Sequence, residues 1–257
     1  MVEPVIRDNE CIDDLQIKGY RLIQKKSGFR FGMDAVLLSD YARVGKGSVV
    51  MDLCSGTGIV PVLLYAKYEP GQILGLEYLE SCVEMAGRSV ALNGLGDHIR
   101  MEQGDVRRVR EDYKQASFDY VTCNPPYMPV SHGLANPDPE KAMARHEILC
   151  SLSDVVAAAS WLLKPTGHFV MVHRPFRLAE IIACLKDYKL EPKRMRLVYP
   201  SLYKEPNMVL IDAVKGGRQR ITVDPPLIVY GQDGSYTKEI YDIYGLSPVA
   251  GSDKEKK

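Results

Sequence analysis

Asn124, Pro125, Pro126 and Tyr127 stand together at the end of an apolar run, in the order T-C-N-P-P-Y-M-P. Asparagine brings a side-chain carbonyl, and proline brings a main-chain carbonyl with no N–H of its own and a fixed φ. The group is therefore a set of rigid acceptors beside an aromatic ring. Upstream, Asp52, Glu77 and Asp105 each stand at or near the close of an apolar stretch. Taken singly, a Pro-Pro is an ordinary loop and a strand-end acid an ordinary helix cap. Four such groups in succession need elements that bring them together.

The order of elements supplies that. SVVMDLC (48–54), QILGLE (72–77), IRMEQGD (99–105), FDYVTCN (118–124) and HFVMVH (168–173) read as short buried strands, and KRMRLVYP and PNMVLIDAVKG as two more. Between them, IVPVLLYAKY (59–68), LESCVEMAGRSVALNGLG (79–96), LSDVVAAASWLLKPTG (152–167) and RLAEIIACLKDY (177–188) read as helices, the third stopped by Pro-Thr-Gly. Regular alternation predicts an α/β fold with a mostly parallel sheet and right-handed crossovers. Ligands of such sheets bind beyond the carboxyl ends of the strands. Asp52, Glu77, Asp105 and Asn124 are then expected along one crevice.

Composition limits the alternatives. Apolar residues make up 46% and charged residues 26%, and 33 basic side chains balance 33 acidic ones, so no global field marks a nucleic-acid binder. The six cysteines (11, 54, 82, 123, 150, 184) form no C-x-x-C pair and have no metal-ligand spacing with the histidines, which predicts reduced thiols and no metal. No apolar run approaches the ~20 residues that span a bilayer, and a cytoplasmic protein is expected.

The loop D-L-C-S-G-T-G (52–58) offers Gly56 and Gly58 for a tight turn with close backbone approach. Pro61 stands where a dinucleotide fingerprint has its third glycine, which lowers the weight of an NAD reading. Glu77 is placed to accept from both hydroxyls of a ribose, and Asp105 from an exocyclic amine. A ligand with ribose and adenine but no pyrophosphate suits these parts, and S-adenosylmethionine is such a ligand. Asn124 and the Pro125 carbonyl would then fix both N–H bonds of a target amine, favouring a pyramidal nitrogen with its lone pair aimed at a methyl group. Tyr127 would stack on the base.

The pairing of D-L-C-S-G-T-G with N-P-P-Y resembles the class I S-adenosylmethionine-dependent amino-methyltransferases. Together with FRFGMDAVLLSDYA (29–42), ARHE (144–147), LLKPTGHFVMVHRP (162–175) and PPLIVYGQDGSYT (225–237), it is similar to the bacterial enzymes that methylate N6 of the adenine beside the anticodon of valine tRNA. The resemblance implies a Rossmann-like fold with a mostly parallel seven-stranded sheet flanked by helices. It implies S-adenosylmethionine held by Phe31, Gly32, Asp34, Asp52, Ser55, Gly56, Thr57, Gly58, Glu77, Asp105 and Asn124. Asn124, Pro125, Pro126 and Tyr127 would be catalytic. Residues 1–46 would form a hairpin and helix extension closing over the cofactor, 47–250 the methyltransferase domain and 251–257 a flexible tail. The implied partner is tRNA.

The long segment after Tyr127 is expected to wall the substrate pocket, with Arg145 and His146 against the substrate. Of four basic clusters, those at 25–30 and 215–220 are the ones expected to meet RNA phosphates. Glutamine methylation of a release factor uses the same tetrapeptide on a chemically related nitrogen and is the nearest rival. A DNA adenine methyltransferase, a non-catalytic cofactor-binding module and a nucleotide-dependent oxidoreductase are further alternatives.

Overall fold

The structure, a computed structural model, describes residues 6–27, 30–125 and 150–246. The five buried strands predicted from the sequence form the parallel centre of one sheet: β3 (Val49–Leu53), β4 (Gln72–Glu77), β5 (Ile99–Gln103), β6 (Phe118–Cys123) and β7 (Leu163–His173). β9 (Met208–Lys215) lies antiparallel between β7 and β8 (Leu190–Tyr199). The sheet has nine strands instead of seven, because two-residue strands β10 (Thr222–Val223) and β11 (Leu227–Ile228) pair along the free side of β8. The order across the sheet is β8-β9-β7-β6-β3-β4-β5, so β3 and β6 lie at its middle.

Alternation along the central strands feeds two helical layers. Val170 and Val172 join a core with α1 (Met33–Tyr41), α2 (Ile59–Tyr68), α3 (Glu80–Leu92) and α7 (Lys238–Tyr244). Phe169 and Met171, on the other face, pack with the short turn α4 (Val109–Asp112), α5 (Leu152–Leu162) and α6 (Leu178–Asp187). Apolar residues on both faces are what a covered parallel sheet requires.

One boundary departs from expectation. Pro165, Thr166 and Gly167 do not trail the helix; α5 stops at Leu162 and the three residues lie inside β7. They form a bulge, since β6 advances from Phe118 to Tyr120 while β7 advances from Leu163 to His168. A Cβ on Gly167 would sit 2.9 Å from the Asp119 carbonyl, so the close approach of β6 selects glycine there.

Ahead of the sheet, β1 (Glu10–Asp14) and β2 (Arg21–Lys25) form an antiparallel hairpin that lies on α3. Asn93 of α3's C-terminal end accepts from the Arg21 N–H (2.8 Å) and donates to its carbonyl (2.6 Å), and Ser89 Oγ accepts from the Ile23 N–H (3.0 Å). Arg88 clamps both Glu10 oxygens at 2.6 and 2.7 Å. The hairpin thereby brings Lys25 to the carboxyl edge of the sheet.

Candidate functional site

A cleft opens at the carboxyl ends of β3, β4, β5 and β6, and Asp52, Glu77, Asp105 and Asn124 all line it. The convergence expected from strand alternation is present. Phe31, Ser55, Gly56 and Thr57 line it as well.

Asp52 is the penultimate residue of buried strand β3 and is itself 1% exposed. Thr122 Oγ1, on neighbouring β6, donates to Oδ1 at 2.6 Å, and Ser55 Oγ donates to Oδ2 at 2.6 Å. Loss of water outweighs these two hydrogen bonds and pushes the carboxyl up to about 7. Glu77 also titrates above the usual carboxylate range, because burial prevails over its backbone hydrogen bonds.

Glu77 holds the glycine loop. The Gly56 N–H donates to Oε2 (2.9 Å) and the Leu79 N–H to Oε1 (3.0 Å). A carboxylate thus takes the loop N–H that a phosphate-binding loop would aim at its ligand. Among the described residues lining the cleft, Lys25 is the single cation against three carboxyl groups. A pyrophosphate fits this electrostatic setting poorly; a ligand carrying hydroxyls and positive charge fits it well.

The loop's shape has two separate glycine requirements. Gly56 has φ +57 with open space around a would-be Cβ, so only its backbone conformation demands glycine. Gly58 has φ +82, caps the start of α2, and would press a Cβ within 3.1 Å of Ala86 Cβ; it supports the loop from behind the cleft wall. Pro61 falls in the first turn of α2, where no intrahelical N–H bond is forfeited.

The other expected residues divide between the cleft and its supports. Gly32 and Asp34 make the N-cap and first turn of α1, while Phe31 and Ala35 on either side of them face the cleft. Asp105 caps a 3-10 turn, accepting from the Arg107 N–H at 2.9 Å and from its guanidinium, which holds its carboxyl below the usual range. It lines the cleft with an arginine already on it. Asn124 follows the last residue of β6 and lines the cleft, and Pro125, the next residue, is buried and is not among the lining residues. Pro126, Tyr127, Arg145, His146, the segment expected to wall the substrate pocket and the 251–257 tail lie outside the described residues.

Three supporting residues escape the sequence reading. A Cβ on Gly75, in the middle of β4, would sit 2.8 Å from Ser55 Oγ and 2.5 Å from Met101 Sδ, so this glycine lets the loop lie against the strand. Its signal is a lone glycine inside an apolar strand. Thr122 is legible as a polar residue in a buried strand. Cys54 lies 3.9 Å from Cys150 Sγ, and both line the cleft. Its hydrogen bond with Cys123 and its burial raise the Cys54 thiol well above its ordinary range.

The basic clusters are largely engaged elsewhere. Lys215 ends β9 beside Leu190, at the opposite edge of the sheet from the cleft, and donates to the Ser160 and Leu163 carbonyls. Lys215 thereby ties β9 to the end of α5, and the Arg218 carbonyl accepts from Lys193 near the start of β8, so the 215–220 cluster does not flank the crevice, contrary to expectation. In the 25–30 cluster Arg30 pairs with Asp13 and Lys26 with the Asp8 carbonyl, and Lys25 reaches the cleft.

Residues 45–207 match the family model described as "Methyltransferase domain". The chain is 26% identical over 235 residues to the tRNA1(Val) (adenine(37)-N6)-methyltransferase of Porphyromonas gingivalis, covering 88% of this chain and 91% of that one. It is 26% identical over 222 residues to the protein of the same name from Aeromonas salmonicida, covering 86% and 90%. Among solved structures, a predicted O-methyltransferase from Agrobacterium tumefaciens superposes with a TM-score of 0.68 at 24% identity, over 83% of this chain and 96% of that one. Geranyl diphosphate C-methyltransferase from Streptomyces coelicolor, solved with S-adenosyl-L-homocysteine, gives 0.54 at 15% identity, over 71% and 80%. These structural likenesses bear on the fold. No helix among the described residues is long and apolar enough to cross a membrane.

Proposed function

Because this chain belongs to the methyltransferase-domain family, we propose that it is an S-adenosylmethionine-dependent enzyme that methylates N6 of an adenine in tRNA, the adenine beside the anticodon of valine tRNA. The observation that carries this reading is the meeting of Asn124, at the end of β6 and directly before Pro125, with Asp52 and Glu77 on one cleft. The names of the curated relatives support the choice of RNA and of N6.

The residues present fit the cofactor. Glu77, with one lone pair on each oxygen occupied by a backbone N–H, keeps acceptor capacity for ribose hydroxyls. Asp52, Ser55, Gly56 and Thr57 hold the methionine end, where a buried carboxyl favours positive charge. S-adenosylmethionine supplies a methyl group on a sulfonium, an electrophile whose positive charge disappears on transfer. Phe31, Ala35 and Lys25 close the opposite wall from the hairpin and α1, consistent with residues 1–46 acting as a cover.

The chain's own task is to prepare the nucleophile. An exocyclic amine on adenine is a weak nucleophile because its lone pair is delocalised into the ring. The Asn124 side-chain carbonyl and the Pro125 main-chain carbonyl accept its two N–H bonds and favour a pyramidal nitrogen. Neither proline of the tetrapeptide brings an N–H to compete for the acceptors. Nitrogen becomes strongly acidic as its new bond forms, so its proton passes to water without a dedicated base. Tyr127 stacks on the incoming base.

The test is to offer radiolabelled S-adenosylmethionine with total tRNA, duplex DNA and a release factor in one reaction. Label in the tRNA fraction is the expected outcome. Label on release-factor glutamine or on DNA contradicts the reading.

A further inference from the structure

Large exposed aromatic side chains are unevenly placed in this molecule. Among the described residues they are Tyr78, Phe176, Tyr203 and Tyr230, exposed by 44, 68, 82 and 41%. All four follow a strand at the carboxyl edge of the sheet: β4 ends at Glu77, β7 at His173, β8 at Tyr199 and β11 at Ile228. The opposite edge has none among the described residues. Tyr78 lines the cleft beside Glu77. The other three lie on the far side of Asn124, past β7, β8 and β11.

The edge is thereby divided. Over β3, β4 and β5 it carries the three carboxyl groups of the cleft and one ring, Tyr78; over β7, β8 and β11 it carries the other three rings. We propose that Phe176, Tyr203 and Tyr230 form a stacking platform for the unpaired nucleotides next to the adenine that enters the cleft. The proposal rests on the RNA reading given above and extends it to the surface that receives the strand.

Three observations support a built surface. Arg174 Nη1 donates to the Asn207 carbonyl (2.9 Å) and the Asn207 N–H to the Val198 carbonyl (3.0 Å), so the loop bearing Tyr203 is tied to the turn bearing Phe176. The Tyr230 N–H donates to the Pro200 carbonyl (3.0 Å), and its ring stacks on Tyr236 with centroids 5.3 Å apart. The rings are thus exposed while their backbones are held. Placement fits as well: β6 and β8 are three strand spacings apart, about 14 Å, the rise of about four stacked nucleotides.

The chemistry favours a single strand over a duplex or a protein. Removing an adenine from its stack leaves its neighbours without a partner, and aromatic side chains replace that lost stacking. Lys204 beside Tyr203 is followed by Glu205, and Arg177 beside Phe176 pairs with Glu180 at 2.6 Å, so the net charge of these two segments is that of Arg174, which is held on the Asn207 carbonyl. So weakly charged a patch suits base faces more than phosphates. The rings stand on three separate segments, and exposed Leu202 beside Tyr203 is the one large aliphatic side chain among them, so aromatic faces outnumber the aliphatic surface that a protein interface would bury.

Tyr203→Trp provides a readout independent of activity. The chain's one tryptophan, Trp161, lies at the end of α5 with its indole N–H on the Tyr113 carbonyl, and serves as the background signal. An unpaired eight-nucleotide RNA with a central adenine is expected to quench the emission of the introduced indole in a saturable way, with far weaker quenching by the same sequence in a duplex. In parallel, Phe176→Ala with Tyr203→Ala is expected to raise KM for tRNA at least about tenfold, with cofactor affinity unchanged. No quenching by the single strand, quenching by release factor alone, or an unchanged KM overturns the platform. Quenching by single-stranded RNA from a protein that fails to methylate RNA upholds the platform and sinks the functional reading, so the two failures are distinct.

Discussion

Thr122 Oγ1 donates a 2.6 Å hydrogen bond to Asp52 Oδ1, joining the ends of the two central strands, β6 and β3. The strand that presents Asn124 is thus linked, two residues earlier, to the carboxylate at the head of the glycine loop. The nucleophile's holder and the cofactor's holder share one buried network.

That network makes stability depend on pH. Asp52 titrates near 7 in the fold and near 4 when unfolded, so between those values the folded state binds more protons. Stability of the free protein is therefore fullest at and below about pH 4 with respect to this group and falls as pH rises to about 7. The gap between the two values corresponds to about 4 kcal/mol. Asp52→Asn is expected to remove this slope and to be the more stable form above pH 7, as read from urea midpoints at pH 5 and pH 8. Cofactor affinity should show the opposite trend in the wild type, rising with pH as the carboxylate ionises, and should be weak and flat in the variant.

Gly75 is expected to be intolerant of a methyl group although it lies in a strand away from any turn. Gly75→Ala drives a Cβ against Ser55 Oγ and Met101 Sδ. A loss of about 1–3 kcal/mol is expected for such overpacking, together with weaker cofactor binding in calorimetry as the loop shifts. Gly87, on α3 with nothing within 4 Å of a would-be Cβ, is the control; Gly87→Ala should gain about 0.5–1 kcal/mol.

The hairpin's attachment depends on Arg88. Glu10 is 3% exposed and carries its charge because the arginine fork holds its carboxyl down to about 2. Its contribution is present above about pH 4 and is lost as pH falls toward 2. Arg88→Leu strands a buried carboxylate, at an expected local loss of about 3–5 kcal/mol. Limited proteolysis should then cut within 15–27, and cofactor affinity should fall because Lys25 leaves the cleft. Glu10→Leu with Arg88→Leu should restore much of the protection.

The sequence shows the sheet's centre and the four polar strand ends because both follow from local signals. Buried runs such as VVMDL and QILGLE have few ways to fold, and an acid at their end lies at the carboxyl edge by topology. The two-residue strands β10 and β11 carry no such pattern; their pairing with β8 is decided by the neighbouring strand. The bulge at Pro165 to Gly167 reads locally as a helix stop, and only the approach of Asp119 makes it part of a strand. Asp105 looks identical to Glu77 in sequence, yet Arg107 two residues later claims its side chain. The cluster around Lys215 gives no sign of which edge it occupies, because that depends on the antiparallel direction of β9.

The most direct test is nucleoside mass spectrometry of unmodified tRNA after incubation with S-adenosylmethionine and either the wild-type protein or Asn124→Ala. The wild type is expected to yield N6-methyladenosine confined to the anticodon-loop fragment of valine tRNA, and the variant none although it still binds the cofactor. N6-methyladenosine formed at the wild-type rate by Asn124→Ala would contradict the amine-holding mechanism. A different methylated nucleoside, or none, from the wild type would contradict the assignment itself.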